Sequence, residues 1–199
     1  MKRRLKLFLI AIPLLFLSLL LLRTLVARTI IANDQVQQPK HLVIENWSGD
    51  EKLFAPAKDF AERFAIEEAA TIVFEESFHD SLRFREILDA AWDGGFDTTK
   101  LTFIRVPKRE PKTLNIAEAV IDSAHAWGWK EITVATAELH SARTRKVYNR
   151  TAERYNIRVQ IVGLPYFNIT SDNWYRTRRG LFGAAMEFGK RVYYELAVF

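Results

Sequence analysis

The feature that most constrains the fold is an alternation of short apolar segments with helical patterns from His41 onward. Alternation of this kind predicts a parallel sheet with right-handed crossovers, so we expect an α/β fold: a Rossmann-like doubly wound sheet of about five parallel strands in the order 3-2-1-4-5. The predicted strands are His41 to Glu45, Thr71 to Glu75, Leu101 to Val106, Glu131 to Thr136 and Arg158 to Leu164. The predicted helices are Phe54 to Phe64, Ser81 to Trp92, Ile116 to Trp127, Ala142 to Tyr155 and about Trp174 to Leu196.

The residues before this alternation predict a membrane anchor. A cationic start, Met1 to Lys6, precedes sixteen apolar residues, Leu7 to Leu22. Spanning a bilayer takes about 20 residues. The apolar segment has that length if the residues up to Ala27 are included and the Arg23 side chain extends toward the headgroups. The alternative is a cleaved signal peptide, but Leu25-Val26-Ala27 is a poor cleavage site. We therefore expect a signal anchor over residues 1–28 as a single N-terminal span, a linker over 29–40 and a Rossmann-like domain over 41–199.

The distribution of charge argues against a nucleic-acid partner. The chain has 29 basic and 24 acidic residues, but residues 1–28 contribute +6, so the remaining body has a charge of −1. A general DNA or RNA binder needs a basic face to displace counterions from phosphates. The positive-inside rule places the N-terminus in the cytoplasm. The expected location is the inner (plasma) membrane, with the body periplasmic or extracytoplasmic.

Charge is also uneven within the body. Residues 29–99 carry −9 and residues 100–199 carry +8. Two interpretations remain open: the two halves line opposite walls of a ligand crevice, or they are solvated helix faces that balance across the fold. The chain has no cysteine, which excludes disulfides, iron–sulfur clusters and thiolate zinc sites, and no cofactor is indicated. His79 and Asp80 alone are a weak metal signal, so no metal site is predicted.

The strongest candidates for chemistry follow the fourth predicted strand. In open α/β sheets, ligands bind beyond the carboxyl ends of the strands at the switch point. There, His140 and Arg143 stand where a helix begins, and an imidazole beside a guanidinium suits an anionic or phosphorylated substrate. We predict both as catalytic residues, His140 as acid or base and Arg143 as the anion clamp. The alternative is that His140 caps local structure and Arg143 pairs with a surface acid.

Residues after the other strands are candidates for substrate binding. These are the turn Trp47, Ser48, Gly49 and Asp50, together with Thr113, Asn115 and Thr136. Asn115 followed by Glu118 also fits a helix N-cap pair, which is an alternative explanation for it. Glu75 and Glu76 are expected on a strand, where adjacent side chains point to opposite faces and cannot form a carboxylate pair. Ser48 and Ser77 lack the turn that a nucleophilic serine requires.

Two of these motifs resemble a family. Thr136-x3-His140-x2-Arg143, preceded by Thr113-x-Asn115-x-Ala117, is similar to the pattern of the YdcF/SanA/ElyC-like family of bacterial envelope proteins. The closing segment, from Trp174-Tyr175 through Glu187 and Lys190 to Tyr193-Tyr194, resembles the last helix of that family. The resemblance covers about residue 40 to the end and implies a Rossmann-like fold and a role in envelope or peptidoglycan metabolism.

The chain also departs from that pattern. The glycine-rich turn after the first strand is replaced by Trp47 to Asp50 with one glycine, and Asn115 and Ile116 stand where the family has Glu and Asn. We therefore expect a divergent member: a membrane-anchored envelope protein that binds or acts on an anionic glycan or lipid-linked precursor. The alternative is a non-catalytic scaffold or partner-binding factor. In the last helix, Glu187 and Lys190 are expected to pair at the surface, or the helix lies on anionic lipid.

Overall fold

A five-stranded parallel sheet forms the centre of the protein. We describe a computed structural model that covers residues 17–18, 21, 23–46, 51–79 and 81–198. The strands are β1 His41–Ile44, β2 Glu68–Phe74, β3 Leu101–Val106, β4 Glu131–Ala137 and β5 Arg158–Leu164. Their order is β3-β2-β1-β4-β5, which confirms the predicted α/β class and strand order. β2 begins three residues earlier than predicted because Glu68 is in register with His41 at the start of β1.

Helices cover both faces of the sheet. They are α1 Glu51–Arg63, α2 Glu75–His79, α3 Ser81–Asp93, α4 Lys112–Ala126, α5 Ser141–Ala152 and α6 Arg178–Tyr193. Short 3-10 turns precede α5 and follow it, a third precedes α6, and one π-helical turn, Tyr194–Val198, follows α6. The sequence did not predict α2. Glu75 and Glu76 form its first turn, so their expected place on a strand is wrong.

Alternate residues of each strand face opposite layers of the core. Leu42 and Ile44 of β1 pack with α1 and α3, whereas Val43 packs with α4 and α5. Because successive side chains of a strand point to opposite faces, each strand contributes to both layers. The helix after β1 therefore lies on one face and the helix after β4 on the other, which makes the gap between these two neighbouring strands the switch point of the sheet.

The segment that leads into the domain is bound along its edge. Residues 23–30 are helical, and Ile30 is buried against Leu139 and Ala184. The chain then runs beside β5, where the amide of Asp34 donates to the carbonyl of Ile161 at 3.0 Å and its carboxylate accepts from the Ile161 amide at 2.8 Å. An exposed edge strand is a site of unwanted pairing, so this strap also protects β5.

The predicted membrane anchor lies mostly outside the described residues. Positions 1–16, 19, 20 and 22 are not among them. Within the part of the chain that the structure describes, no helix combines the length and the apolar character needed to cross a bilayer.

Two glycines of α6 provide a test of this packing. A Cβ at Gly180 would lie 2.1 Å from the carbonyl oxygen of Trp174, whereas a Cβ at Gly189 would meet nothing within 4 Å among the described residues. We expect Gly180→Ala to destabilise the full-length chain by about 1–3 kcal/mol through overpacking. Gly189→Ala should stabilise it by up to about 1 kcal/mol, because alanine favours helix. Thermal unfolding in mild detergent measures both, and equal midpoints for the two variants would contradict this packing.

Candidate functional site

A buried carboxyl group marks the switch point. Glu45 directly follows β1, and its amide donates to the carbonyl of Ala135 in β4 at 2.8 Å, which fixes it between the two central strands. Its side chain is almost completely buried. A glutamate at this depth requires polar partners, because an isolated buried charge is strongly disfavoured.

Three hydroxyl groups surround the Glu45 carboxyl. Thr144 Oγ1 donates to Oε2 at 3.0 Å, and the hydroxyls of Thr136 and Tyr148 lie beside the carboxyl. Burial raises the pKa of Glu45, although Thr136, Arg143 and Thr144 act in the opposite direction. Burial and the Glu45 charge also raise the pKa of Tyr148 well above its usual value. The ionised form of Glu45 is therefore stabilised only in part, and this carboxyl holds its proton more tightly than an exposed one.

A second carboxylate, Glu187 of α6, binds three cationic or titratable groups. Its Oε1 lies 2.9 Å from His140 Nδ1 and accepts from Lys190 Nζ at 2.8 Å. Its Oε2 accepts from Arg143 Nε at 2.8 Å. Glu187 is only 2% exposed. The pair with Lys190 exists, but its expected position at the surface is wrong, because α6 turns Glu187 inward.

Glu187 and His140 both have pKa values below their usual ones. Burial alone would raise the pKa of Glu187, but the hydrogen bonds and charges of His140 and Arg143 outweigh it and hold the pKa well below its usual range. Burial lowers the pKa of His140, Glu187 opposes this, and the charges of Arg143 and Lys190 add to the lowering. Both shifts favour a neutral imidazole beside an ionised carboxylate at neutral pH.

Arg143 connects three helices. It lies in the first turn of α5, donates from Nε to Glu187 of α6 and donates from Nη1 to Thr113 Oγ1 of α4. Its guanidinium also lies 5.8 Å from the centre of the Tyr194 ring. The alternative in which Arg143 pairs with a surface acid is wrong, since both members of the pair are buried.

The structure brings four of the predicted site residues together and separates a fifth. Thr136 and Arg143 border the Glu45 carboxyl, Thr113 and His140 belong to the Glu187 network, and all four lie at the carboxyl end of the sheet. Asn115 instead supports the loop before α4, where its amide donates to the carbonyl of Pro107 and its Oδ1 accepts from Arg109 Nε at 3.1 Å.

Two further predictions concern Asn115 and the turn from Trp47 to Asp50. α4 begins at Lys112 with Pro111 at its N-cap, so the N-cap interpretation of Asn115 is wrong. The binding predictions for Trp47, Ser48, Gly49 and Asp50 fall outside the described residues.

Two cavities open at this end of the sheet. One, of about 300 Å³, lies beyond β2. Its lining combines apolar residues of β2 and α3 with polar side chains of both charges, namely Asn46, Ser77, Arg83, Lys108 and Lys112 together with the acids Glu76 and Glu86. The other, of about 120 Å³, is mostly apolar and is lined by His140, Tyr166, Ile169, Arg179 and Gly183. Among the side chains that the structure describes, no three His, Asp or Glu residues converge as a metal ion would require.

Sequence reasoning missed the two carboxyl groups that organise the site. Glu45 is the first polar residue after the apolar run Leu42 to Ile44, at the strand end where ligands bind, so its position could have singled it out. Glu187 is the one acidic residue of α6. A single acidic residue in a helix whose exposed residues are apolar indicates a special role for that residue, but it does not identify a buried partner 44 residues away.

Removal of the Glu187 charge should destabilise the fold. Glu187→Gln leaves Arg143 buried without its carboxylate, a change that typically costs about 3–5 kcal/mol. The matched control is Glu195→Gln, since Glu195 is an exposed acid that pairs with Lys146 and should have little effect. Denaturant unfolding of both full-length variants makes the comparison, and a Glu187→Gln variant as stable as the control would contradict a structural role for the network.

The contribution of Glu45 to the free energy of unfolding should fall as the pH rises. Because burial raises its folded-state pKa, Glu45 favours the folded state below its unfolded pKa and loses this contribution as the pH rises through the folded pKa. Glu45→Gln cannot ionise, so its midpoint of thermal unfolding should gain on that of the unmodified chain as the pH rises from mildly acidic to mildly basic. A difference that stays constant over this range would show that Glu45 ionises freely.

Comparison with known proteins gives few matches. No protein-family model matches the chain, and no curated protein matches it. Among solved structures, the chain is similar to a universal stress protein in complex with cAMP, at 18% identity and a TM-score of 0.38, over 63% of this chain and 97% of that one. A likeness at this distance carries no argument about ligands of the present chain.

Proposed function

We propose that this chain is a membrane-anchored protein of the bacterial cell envelope that binds or acts on an anionic precursor, such as a phosphorylated or lipid-linked saccharide. The observation that carries the proposal is the buried Glu187 carboxylate, which holds both His140 and Arg143 at the carboxyl end of the sheet. Perturbed titratable groups beside a crevice are typical of functional sites, although structural ion networks share this property.

The pair of His140 and Glu187 supports acid–base chemistry. A carboxylate 2.9 Å from Nδ1 stabilises the imidazolium that forms when the imidazole takes a proton. His140 lines the smaller cavity, where it can act on a hydroxyl group or a water molecule. Glu45 and Glu187 have pKa values that are displaced in opposite directions, an arrangement that separates a proton donor from a fixed charge.

Cationic side chains on the same edge support an anionic ligand. Arg83, Lys108 and Lys112 line the larger cavity together with two acids, Glu76 and Glu86, so the lining keeps one positive charge in excess although Lys108 pairs with Glu76 at 2.8 Å. Arg179 lines the smaller cavity, as does Glu138. Arg143 contributes differently, because its Nε and Nη1 both donate to protein groups and its side chain is buried. We assign Arg143 to positioning Glu187, and the lining cations to contact with the ligand.

The envelope location is supported by the sequence. The cationic start and the apolar run from Leu7 to Leu22 are typical of a signal anchor, and their charge bias places the body on the extracytoplasmic side. The motifs at Thr113, Thr136, His140 and Arg143 resemble those of the YdcF/SanA/ElyC-like family, which implies envelope or peptidoglycan metabolism.

A second candidate is a non-catalytic envelope scaffold. It is favoured by the commitment of Arg143 to internal partners and by the replacement of the glycine-rich turn with Trp47 to Asp50, where a side chain as large as Trp hinders the close approach of backbone to phosphate.

A substitution at His140 separates the two candidates. His140→Asn keeps an amide donor near the position of Nδ1 for Glu187 but cannot accept and return a proton. In a strain that lacks this protein and is challenged with cell-wall antibiotics or osmotic stress, the catalytic candidate predicts that His140→Asn fails to restore growth. His125→Asn is the matched control, because His125 is exposed, stacks on Tyr155 at 4.0 Å and should complement fully.

The same strains test the alternative. Immunoblots must show equal amounts of both variants in the membrane fraction, so that loss of growth reports loss of activity. Full rescue by His140→Asn at normal abundance would remove the catalytic candidate and leave the scaffold. A reporter fused after Phe199 that is active only in the cytoplasm would overturn the proposed orientation.

A further inference from the structure

The last helix, α6, turns a charged residue toward the domain and apolar residues outward, which is the reverse of an ordinary surface helix. α6 buries Gly180, Ala184 and Glu187, the last of which is its one acid, against the domain. Its outward side is mostly apolar and includes Leu181, Phe182, Met186, Phe188, Val192 and Tyr193, with Phe182 70% exposed, while Arg178 lies on the same side at the first residue of the helix. A surface helix of a globular protein normally turns its apolar stripe inward. A contiguous apolar patch of this kind marks a surface that contacts something else.

Cations border this apolar face. At about 3.6 residues per turn, Lys190 and Arg191 fall on opposite sides of the outward arc. Arg191 also lines a cavity of about 700 Å³ between α5, α6 and the residues around 28–31. The other charged residues of this basic groove are Arg28, Arg145, Lys146, Arg150 and a single acid, Glu153. Arg145 also pairs with Asp34 and Lys146 with Glu195, and the groove still has more cations than acids. The groove therefore suits an anionic group at the margin of an apolar surface.

The chain enters the domain at this same place. Arg191 donates from Nη1 to the carbonyl of Thr29, and Ile30 packs in one cluster with Ala184 of α6. The guanidinium of Arg23 lies 3.9 Å from the centre of the Tyr175 ring, just before α6. The apolar run Leu7 to Leu22 therefore ends in sequence directly before the residues that contact α6.

We propose that α6 lies in the surface of an anionic bilayer, with its outward apolar face among the acyl chains and a lipid phosphate in the basic groove. This inference rests on the membrane attachment contained in the proposed function, but not on the chemistry of the crevice. A helix with an apolar face and flanking cations binds membranes through buried apolar area and through attraction to anionic lipids. The adjacent N-terminal segment supplies the second attachment that stable binding requires.

The absence of cysteine from the chain makes a direct test possible. Single-cysteine variants Phe182→Cys and Met186→Cys of the full-length chain are labelled with an environment-sensitive fluorophore and reconstituted into vesicles. The matched control is Trp92→Cys, since Trp92 is also apolar and 67% exposed but lies at the far end of α3. The vesicles consist of phosphatidylcholine alone or mixed with phosphatidylglycerol, with and without a nitroxide-labelled lipid that quenches fluorescence at the bilayer surface.

The proposal predicts blue-shifted emission and quenching by the lipid nitroxide at positions 182 and 186, stronger with phosphatidylglycerol, and neither at position 92. Arg145→Gln and Arg150→Gln should each weaken the preference for phosphatidylglycerol by about fivefold, because one surface cation contributes about this factor. Flotation of the vesicles reports attachment independently, and a chain that does not float would overturn both the attachment and this inference.

Three other outcomes overturn the inference while leaving the attachment intact. Emission at 182 and 186 that matches position 92 would show α6 facing water. A blue shift without lipid quenching that rises with protein concentration would show a second copy of the chain on α6. Quenching that is indifferent to phosphatidylglycerol and to both arginine variants would show that the basic groove takes no lipid phosphate.

Discussion

The buried carboxylate of Glu187 is the interaction on which the candidate site depends. It neutralises the Arg143 guanidinium, which in turn reaches Thr113, so one carboxyl group connects α4, α5 and α6 across the carboxyl end of the sheet. It also fixes the imidazole of His140. A buried ion pair of this kind contributes little net stability, because desolvation offsets much of the attraction, but its geometry is hard to replace once one partner is removed. The main effect of the network is therefore to fix the positions and protonation states of His140, Arg143 and Glu187.

The two glutamates of the site illustrate how the environment divides roles between identical side chains. Glu45 lies among hydroxyl groups that donate weakly, and burial dominates its titration. Glu187 lies among a guanidinium, an ammonium and an imidazole, and their combined effect exceeds that of burial. The hydroxyl of Thr144 donates a hydrogen bond to Glu45 without supplying charge. The two pKa values differ because different helices pack against each glutamate, not because of the residues next to each glutamate in sequence.

The fold could be predicted from the sequence to a large extent, because it follows from local periodicity. Two strands, β3 and β5, have the predicted bounds, and the parallel sheet follows from the alternation of strands and helices. The strand order also agrees with the expectation, which came from the common doubly wound topology and not from the alternation itself. The helix starts were less predictable: α4 begins at Lys112 after Pro111, without a capping side chain to mark it. The site was predicted only where residues are close in sequence, as with His140 and Arg143. Glu187 belongs to a helix 44 residues after Arg143, and no local pattern indicates that α6 turns its acid inward.

The strap along β5 has a consequence for how far the domain can reach. Hydrogen bonds join Asn33, Asp34 and Gln37 to Gly163, Ile161 and Gln160 of β5, respectively. The chain between the helical segment 23–30 and β1 is therefore held against the domain. If the proposed anchor holds the N-terminus in a bilayer, these hydrogen bonds limit how far the domain can move away from the membrane surface. Its crevice would stay at one height and in one tilt above the headgroups. Ligands bound to the membrane at that distance from the bilayer would meet the crevice far more often than dissolved ligands.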